Sequence, residues 1–353
     1  MRILIAGGGT GGHVIPALAI ARELRDKHAS EVRFVGTARG LETRLVPEAG
    51  FPLELIQVGQ LKNVSLLTRL RTIADLPLGI LRCMSLLRSF RPDVVIGVGG
   101  YASGPAMMAA ILLRIPTLAF EPNAVPGLAN RLVGKYVSGA AVNFALTMSY
   151  FRKARVTGVP VRSGFFAIPP KMGGQMRLLV FGGSQGARIL NELMPKIVAP
   201  LLAEFPDLTV VHQVGAKNVD STTAVYGAIL NRLRVVPYLD AMVDEIASAD
   251  VILCRSGASS VADISAAGRV AILVPFAGAA DDHQRKNAEV LVESGAAVMV
   301  LEADLTPERA IKEIAGLLQD PQKRRAMGEA ARKLAHRDAS AQIAVMCVEL
   351  SKK

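Results

Sequence analysis

The sequence predicts an α/β protein made of two doubly wound, Rossmann-like domains that face each other across a cleft. Short runs rich in Val, Ile and Leu alternate with helical patterns along all 353 residues, as is typical of parallel sheets covered on both faces. Three glycine-rich loops each follow such a run and open a helix. The Gly- and Pro-rich segment 156–170 separates two series of runs, which fits two domains of ordinary size.

The strands and helices are placed by hydrophobic pattern. The first helix is the clearest, because Ala17, Ile20, Ala21 and Leu24 recur at the spacing of one buried helical stripe. Glycines interrupt the uncharged runs 3–21 and 94–113, so neither is predicted to be a signal peptide or a membrane span. The predicted strands are 3–6, 32–35, 94–98, 117–121, 178–181, 209–213, 251–254, 271–274 and 297–301.

The net charge of +11 lies almost wholly in the first half of the chain. Residues 1–160 hold 19 Lys and Arg against 9 Asp and Glu, which leaves a net of +1 for the remainder. Such asymmetry indicates an anionic partner for the first half: a membrane surface, a nucleic acid or a phosphorylated substrate. Nucleic acid is disfavoured, because aromatic residues make up only 5% of the chain and tryptophan is absent.

The three cysteines also limit the function class. Cys83, Cys254 and Cys347 lie far apart, outside any Cys-x-x-Cys pattern. Neither a disulfide framework nor a structural zinc site is expected, and a reducing cytoplasm is the natural compartment.

The glycine loops 7–12, 97–104 and 182–186 predict phosphate binding. Glycine permits close backbone approach, and the N–H groups at the start of the following helix attract anions. Loop 7–12 also fits the dinucleotide-binding pattern, which requires an acidic residue at the end of the second strand. Here that strand runs into Gly36-Thr37-Ala38, and Glu31 stands at its opposite end. An oxidoreductase is therefore disfavoured.

Seven motifs occur in an order that resembles one known family over essentially the full length of the chain. They are GGTGGHVIPALAIA (8–21), GVGGYASGPA (97–106), EPNAVPGLANR (121–131), TGVPVR (157–162), GGSQGARILN (182–191), CRSGASSVADISAAGR (254–269) and DDHQRKNA (281–288). They resemble the MurG family of peptidoglycan glycosyltransferases, whose fold is the two-domain GT-B architecture. The resemblance implies an acceptor- and membrane-binding domain at 1–159, with a helix at about 337–353 packing back on it. The donor domain is then 160–336.

The resemblance implies an inverting hexosyltransferase of cell-wall biogenesis, and hence a part in cell shape and division. N-acetylglucosamine (GlcNAc) would pass from UDP-GlcNAc to the muramyl 4-hydroxyl of undecaprenyl-diphosphate-linked MurNAc-pentapeptide. Inversion requires one general base and stabilisation of the departing diphosphate, but no covalent nucleophile. His13 and Glu121 are the candidate bases, and the sequence does not choose between them.

No cofactor is expected to be required. Backbone dipoles and Arg162 can stabilise the diphosphate without a metal. The pair Asp281-Asp282 could bind Mg²⁺, but a solvated loop is the preferred interpretation of it.

Donor-binding residues follow from the resemblance. Tyr238 and Leu239 match the pair that packs on uracil, and segment 257–260 opens a helix toward the diphosphate. Asp263 stands where the family usually has glutamate on the ribose hydroxyls, so this carboxylate is shorter by one methylene. The donor set is Thr10, Gly11, Gly12, Asn123, Arg162, Ser184, Tyr238, Leu239, Ala258, Ser259, Ser260, Asp263, Gln284 and Asn287.

Acceptor-binding residues follow in the same way. The chain has Phe120-Glu121-Pro122-Asn123 where the family often has His-Glu-Gln-Asn. Because Pro122 has neither a side-chain amide nor a backbone N–H, no hydrogen-bonding role is expected at Phe120 and Pro122. The set assigned to the lipid diphosphate and the muramyl sugar is Thr10, His13, Tyr101, Ser103, Glu121, Asn123 and Asn130.

Three other functions each agree with part of the sequence. A UDP-sugar epimerase would use the same donor without a lipid acceptor, and the basic, Leu-rich first half is evidence against it. A transferase acting on diacylglycerol would keep a membrane surface but would have less need of Thr10, Asn123 and the glycine loops. A nucleic-acid-binding protein is suggested by charge alone.

Segment 62–91 predicts peripheral docking to an anionic membrane surface. Leucines are interleaved with a net charge of +5, and Pro77-Leu78-Gly79 interrupts the helical pattern. The charged residues are Lys62, Arg69, Arg71, Arg82, Arg88 and Arg91 against Asp75. We expect the protein on the cytoplasmic face of the inner membrane, docked through this segment without a spanning helix.

Overall fold

The computed structural model of the protein describes residues 1–38, 40–57, 66–171, 173–227 and 231–352. The chain divides into two compact units. Unit 1 is Met1–Pro160 with Asp338–Lys353, and unit 2 is Val161–Arg337.

Unit 1 is built on a parallel sheet whose central strands are apolar on both faces. Residues 3–6 and 94–96 have no exposed surface, which explains their unbroken runs of Val, Ile, Leu and Ala. The strands are β1 (Arg2–Ala6), β2 (Glu31–Gly36), β3 (Leu53–Leu55), β4 (Val94–Gly97), β5 (Thr117–Glu121), β6 (Gly139–Val142) and β7 (Ala154–Val156). Their order in the sheet is β3-β2-β1-β4-β5-β6-β7.

Helices cover both faces of this sheet. They are α1 (Gly11–His28), α2 (Glu42–Glu48), α3 (Leu66–Phe90), α4 (Ser103–Leu112), α5 (Leu128–Val133) and, from the end of the chain, α14 (Ala339–Ser351). Parallel crossovers are right-handed, so α1 and α2 lie on one face and α3, α4 and α5 on the other. Accordingly α4 packs between α3 and α5, and α14 packs on α1.

Unit 2 repeats the plan with a second parallel sheet in the order β10-β9-β8-β11-β12-β13. Its strands are β8 (Arg177–Phe181), β9 (Thr209–Gln213), β10 (Leu233–Val236), β11 (Val251–Cys254), β12 (Ala271–Leu273) and β13 (Ala297–Met299). Its helices are α6 (Ser163–Phe166), α7 (Arg188–Glu204), α8 (Val219–Tyr226), α9 (Met242–Ser248), α10 (Ala258–Ala267), α11 (His283–Glu293), α12 (Pro307–Leu318) and α13 (Pro321–Lys333).

The predicted fold class of two doubly wound parallel sheets is confirmed, and every predicted strand is present with ends shifted by at most two residues. Four further strands, β3, β6, β7 and β10, were not predicted from the sequence. Two of these, β3 and β7, have three residues each, and β6 is built from glycine, alanine and one valine. Such strands carry little β-branched or aromatic signal.

Each sheet has one point at which the strand order reverses. In unit 1 the point lies between β1 and β4, and in unit 2 between β8 and β11. Ligands of doubly wound sheets bind beyond the carboxyl ends of the strands at such a point. The predicted glycine loops 7–12 and 97–104 flank the first point, and loop 182–186 adjoins the second.

Two further predictions concern the whole chain. Cys83, Cys254 and Cys347 are free thiols, all buried. None of the helices in the described ranges is both long and apolar enough to cross a bilayer.

Candidate functional site

The two glycine loops of unit 1 touch backbone to backbone. The Gly8 amide donates to the Gly99 carbonyl at 3.3 Å, and a methyl group at Gly7 or Gly100 would overlap the opposite loop. A methyl group at Gly99 would lie 2.9 Å from His13 Nε2. Only glycine fits these positions, and the contact sets the imidazole of His13 directly against the 97–104 loop.

Most amides at the start of loop 7–12 are used inside the protein. Gly7 donates to the Val35 carbonyl at 3.0 Å, Gly8 to Gly99, and Gly9 to the Glu42 carboxylate at 2.6 Å. The predicted anion-binding donors therefore narrow to the amides of Gly11 and Gly12, at the positive end of the 18-residue helix α1.

Four of the predicted acceptor residues have surface open to a ligand. Thr10 is exposed, Tyr101 is 40% exposed, and His13 and Asn123 are half-buried. The Thr10 hydroxyl lies 3.5 Å from His13 Nδ1. A hydroxyl and an imidazole thus lie together at the strand-order reversal point of unit 1, and such a pair can hold polar substrate groups and move a proton.

The Glu121 carboxylate is 2% exposed and accepts four hydrogen bonds. One oxygen accepts from the Asn123 amide and side chain, each at 3.0 Å. The other accepts from the Gly127 amide and from Asn130 Nδ2, each also at 3.0 Å. Burial raises the pKa of this carboxyl, and the four donors oppose that shift. The geometry favours a positioning role for Glu121 over the predicted role of base.

Two other residues of the predicted acceptor set are also buried. Ser103 has no exposed surface and Asn130 only 2%, which favours a supporting role for both over direct contact with a substrate. Asn130 Nδ2 also donates to the Phe120 carbonyl at 3.0 Å, and Asn143 donates to the Pro122 carbonyl at 3.1 Å. These are internal hydrogen bonds of the two backbone carbonyls, so the expectation that Phe120 and Pro122 offer no hydrogen bond to a substrate stays a prediction.

In unit 2 the helix α10 begins at the predicted diphosphate position. Gly257 caps it in an extended conformation, so the first amides of the ten-residue helix point outward from the end of β11. Ser259 and Ser260 are half-buried and Ala258 is buried. The Ser259 hydroxyl is buried without a hydrogen-bond partner among the described residues. An oxygen of a bound ligand would accept a hydrogen bond from it.

Asp263 lies one turn further along α10. Burial raises the pKa of its carboxyl to about 7, and the positive charge of Arg162 opposes the shift. Arg162 is exposed, and its guanidinium lies over the Phe165 ring at 5.1 Å. The carboxyl thus changes charge close to neutral pH.

The remaining donor residues divide into exposed and buried ones. Ser184 is exposed after β8, Tyr238 is 53% exposed and Leu239 is buried. Asn287 has no exposed surface and donates to the Ser256 carbonyl at 3.1 Å, which favours a positioning role over the predicted direct contact with the donor. Gln284 is half-buried, and its Oε1 accepts from the Phe276 amide at 3.1 Å.

Arg255 is a buried residue directly after β11 that was not predicted from the sequence. Its Nη1 donates to the carbonyls of Val274 and Pro275 at 3.1 and 3.2 Å, and it pairs with Glu302 at 2.5 Å. The guanidinium therefore ties the loop after β11 to the loop after β12. A basic residue directly after a buried strand is the sequence signal that indicates it.

Both units of the chain are similar to known proteins. The N-terminal domain model of glycosyltransferase family 28 matches residues 3–142, and its C-terminal domain model matches residues 177–343. A protein of Anaeromyxobacter dehalogenans strain 2CP-1 is 44% identical over 100% of this chain and 94% of its own length. The chain belongs to glycosyltransferase family 28.

Relatives of this family 28 chain share one name. The Anaeromyxobacter protein is a "UDP-N-acetylglucosamine--N-acetylmuramyl-(pentapeptide) pyrophosphoryl-undecaprenol N-acetylglucosamine transferase". A protein of the same name from Syntrophus aciditrophicus is 42% identical over 99% of both chains. The crystal structure of Acinetobacter baumannii MurG superposes with a TM-score of 0.81 at 30% identity over 99% of both chains. The resemblance drawn from the motifs is confirmed.

The metal prediction concerns Asp281 and Asp282. Both are exposed, and Asp282 lies 3.7 Å from the Arg285 guanidinium. No group of three or more His, Cys, Asp or Glu with metal-binding geometry occurs within the described part of this family 28 chain. That no metal is required stays a prediction.

The role of Glu121 is testable by Glu121→Gln. The amide places an NH₂ group against two N–H donors, so the segment after β5 loses hydrogen bonds inside a buried site. We expect a loss of about 1–3 kcal/mol in the free energy of unfolding, measured by urea denaturation, and faster hydrogen exchange in 122–130.

The matched control is Asn143→Ala, which removes one hydrogen bond to the same segment and should cost about 1 kcal/mol. If Glu121→Gln is as stable as the parent, the four hydrogen bonds do not hold the segment, and Glu121 returns as a candidate base.

Proposed function

We propose that this protein transfers GlcNAc from UDP-GlcNAc to the lipid-linked N-acetylmuramyl-pentapeptide, in the synthesis of peptidoglycan. The observation that carries the proposal is the full-length match, at 44% identity, to a family 28 protein named for this reaction. The two sheets and their glycine loops supply the binding sites that the reaction requires.

Unit 2 is the donor site in this proposal. The start of α10, with the unpartnered Ser259 hydroxyl, receives the diphosphate beside the exposed Arg162. Asp263, further along the same helix, accepts hydrogen bonds from the ribose hydroxyls. Tyr238, more than half exposed, offers an aromatic face to uracil. The buried groups Arg255 and Asn287 hold these loops in place from below.

Unit 1 is the acceptor site in this proposal. Thr10, His13, Tyr101 and Asn123 present polar groups there, and the amides of Gly11 and Gly12 suit a phosphate oxygen. Glu121, Ser103 and Asn130 support these residues from beneath.

His13 is the general base we infer for the reaction, since the oxygens of Glu121 are already engaged. It takes the proton of the muramyl 4-hydroxyl while that oxygen bonds to the anomeric carbon of GlcNAc. The bond from the anomeric carbon to the phosphate oxygen breaks, and UDP leaves with its electron pair. Arg162 and the amides at the start of α10 stabilise the charge that UDP gains, which requires no metal or other cofactor.

Membrane docking on the cytoplasmic face is part of the same proposal, because the acceptor is a lipid. Within the predicted segment 62–91, Leu78 and Leu81 are 49% and 61% exposed, and Arg82 and Arg88 are exposed beside them. The side chains of Lys62, Arg69, Arg71 and Asp75 lie outside the described residues. The described part of α3 thus supports an apolar and basic docking face.

The neighbouring helices extend this face. Leu112 on α4 is 60% exposed, and Leu132 and Tyr136, at the end of α5, are 59% and 67% exposed. The segment 122–160 has five basic residues and no Asp or Glu. A row of exposed apolar side chains among cations fits the headgroup region of an anionic bilayer.

The proposed reaction is tested by transfer of labelled GlcNAc to a synthetic muramyl-pentapeptide lipid diphosphate. We expect product with the diphosphate and none with the matching lipid monophosphate. Calorimetry with UDP-GlcNAc supplies the control for donor binding. A protein that binds the donor but converts it without an acceptor is an epimerase, and one that binds no nucleotide sugar contradicts both enzyme functions.

The contribution of Asp263 is tested by varying pH. Because burial raises the pKa of this carboxyl to about 7, the ionised form, which accepts ribose hydroxyls best, appears as the pH rises from 6 to 8. We expect the parent to bind UDP-GlcNAc more tightly with rising pH. Asp263→Asn should lose this trend, and Asp263→Ala should raise the donor KM about 10-fold or more.

The control for Asp263 is Asp244→Asn, an exposed carboxylate of unit 2, which should keep the parental pH trend. A parental trend in Asp263→Asn would place the titrating group elsewhere.

Docking is tested by co-sedimentation with vesicles. At about 1 kcal/mol per basic residue near an anionic surface, reversing Arg82 and Arg88 to Glu should weaken binding to anionic vesicles by 10-fold or more. Zwitterionic vesicles should bind little of either protein. The matched control reverses two exposed cations of unit 2, Lys312 and Arg325, and should sediment like the parent. Equal loss in both double variants would show that overall charge, not the α3 face, drives binding.

A further inference from the structure

A buried carboxylate lies directly behind the first glycine loop. Glu42, the first residue of α2, is 1% exposed and accepts three hydrogen bonds. One oxygen accepts from the Gly9 amide at 2.6 Å, and the other from the amide and the hydroxyl of Thr37, each at 3.0 Å. Neither the motifs nor the spacing singled out this residue.

Three glycines make room for this carboxylate. A methyl group at Gly8, Gly36 or Gly40 would overlap atoms of the Glu42 side chain. These glycines come from the β1 loop, the end of β2 and the turn before α2. The chain therefore encloses one carboxylate from three sides, and the glycines at these positions are explained by Glu42 rather than by a ligand.

The carboxylate fixes the conformation of Gly9. The amide of Gly9 donates to Glu42, and its carbonyl accepts from the Leu41 amide at 3.2 Å. Gly9 has a φ of +95°, a conformation that is costly for other residues. Both polar groups of this residue are thus held by the start of α2.

Gly9 immediately precedes the reactive part of unit 1. Thr10 follows it, and the Thr10 carbonyl accepts from the amides of His13 and Val14 at 3.1 Å each in the first turn of α1. A shift of Gly9 therefore moves Thr10, the amides of Gly11 and Gly12, and the ring of His13 together.

The charge of Glu42 is evidence against a role that only fills space. A carboxylate disfavours an anion at the nearby helix start, and a leucine or methionine would fill the same volume without that repulsion. In dinucleotide-binding proteins the acidic residue after the second strand holds a ribose. Here the acidic residue that follows β2 turns inward and binds the loop instead.

We propose that Glu42 is a positioning residue for the transfer reaction. Its carboxylate holds Gly9 so that Thr10, the first amides of α1 and His13 meet the acceptor in reactive geometry. This role rests on the proposed function, because the acceptor and the base are those assigned above.

The test variant is Glu42→Gln, which keeps the size of the side chain but sets an NH₂ group against a buried donor. We expect kcat for GlcNAc transfer to fall about 10–100-fold, as for small displacements of reacting groups, and the acceptor KM to rise. The Kd for UDP-GlcNAc, measured by calorimetry, should change by a smaller factor than the acceptor KM, because Thr10, Gly11, Gly12 and Asn123 are the only predicted donor residues in unit 1. Hydrogen exchange should quicken in 7–12.

Two control variants separate positioning from general loss of stability. Val46→Ala empties a fully buried site on the same helix without touching the carboxylate, and it should lower the melting temperature while keeping kcat near the parental value. Thr37→Val removes only one of the three hydrogen bonds and leaves Gly9 bound, so kcat should fall less than threefold.

The outcomes distinguish the two proposals. A folded Glu42→Gln with the parental kcat overturns the positioning role. The role is also overturned if Val46→Ala has the same melting temperature as Glu42→Gln and loses as much kcat. If Glu42→Gln does not fold, Glu42→Asp, which withdraws the same carboxylate from Gly9 by one methylene, takes its place, and a parental kcat with parental exchange in 7–12 overturns the role equally. A parent that transfers no GlcNAc overturns the proposed function instead, and exchange in 7–12 then decides whether Glu42 holds the loop.

Discussion

The close approach of two glycine loops at the reversal point of the unit 1 sheet is the constraint on which the candidate site of that unit depends. In unit 1 the β1 and β4 loops meet at Gly8 and Gly99 with no room for a side chain between them. In unit 2 the loops after β8 and β9 also pack tightly, since a methyl group at Gly186 would overlap the Val214 carbonyl. The starts of α1 and α4 lie on either side of this approach, at the carboxyl edge of the unit 1 sheet. The position of His13 against Gly99 follows directly from this contact.

Polar residues near these loops form two layers with different tasks. The residues of one layer are buried and form hydrogen bonds with backbone amides, backbone carbonyls and one another. They are Glu121, Asn130, Asn287 and Arg255. The exposed layer, which includes Tyr101 and Arg162, keeps groups available to solvent and to ligands. A buried polar group is stable only when its partners are supplied, so the buried layer fixes loop geometry, while the exposed layer has polar groups available for the recognition proposed above.

The sequence predicted the fold class because parallel strands that are buried on both faces consist of consecutive apolar residues, and such runs are visible in a single sequence. It could not show short edge strands such as β3, whose pairing depends on β2 rather than on their own residues. Motifs named most residues of the candidate site, yet they could not separate the two layers, since burial is decided by packing of distant segments. Glu42 had a weak signal in the glycines around it, but those glycines gather only in the folded chain.

The helix α14 gives unit 1 an unusual dependence on the order of synthesis. This last helix packs on α1, the first helix of the chain, and Glu349 forms a two-pronged ion pair with Arg155 on β7 at 2.7 and 3.1 Å. Unit 2 is continuous in sequence and can fold as it leaves the ribosome, whereas unit 1 stays incomplete until residues 339–351 emerge. A chain that terminates early therefore keeps an apolar face of α1 uncovered, which marks it for chaperones and proteases.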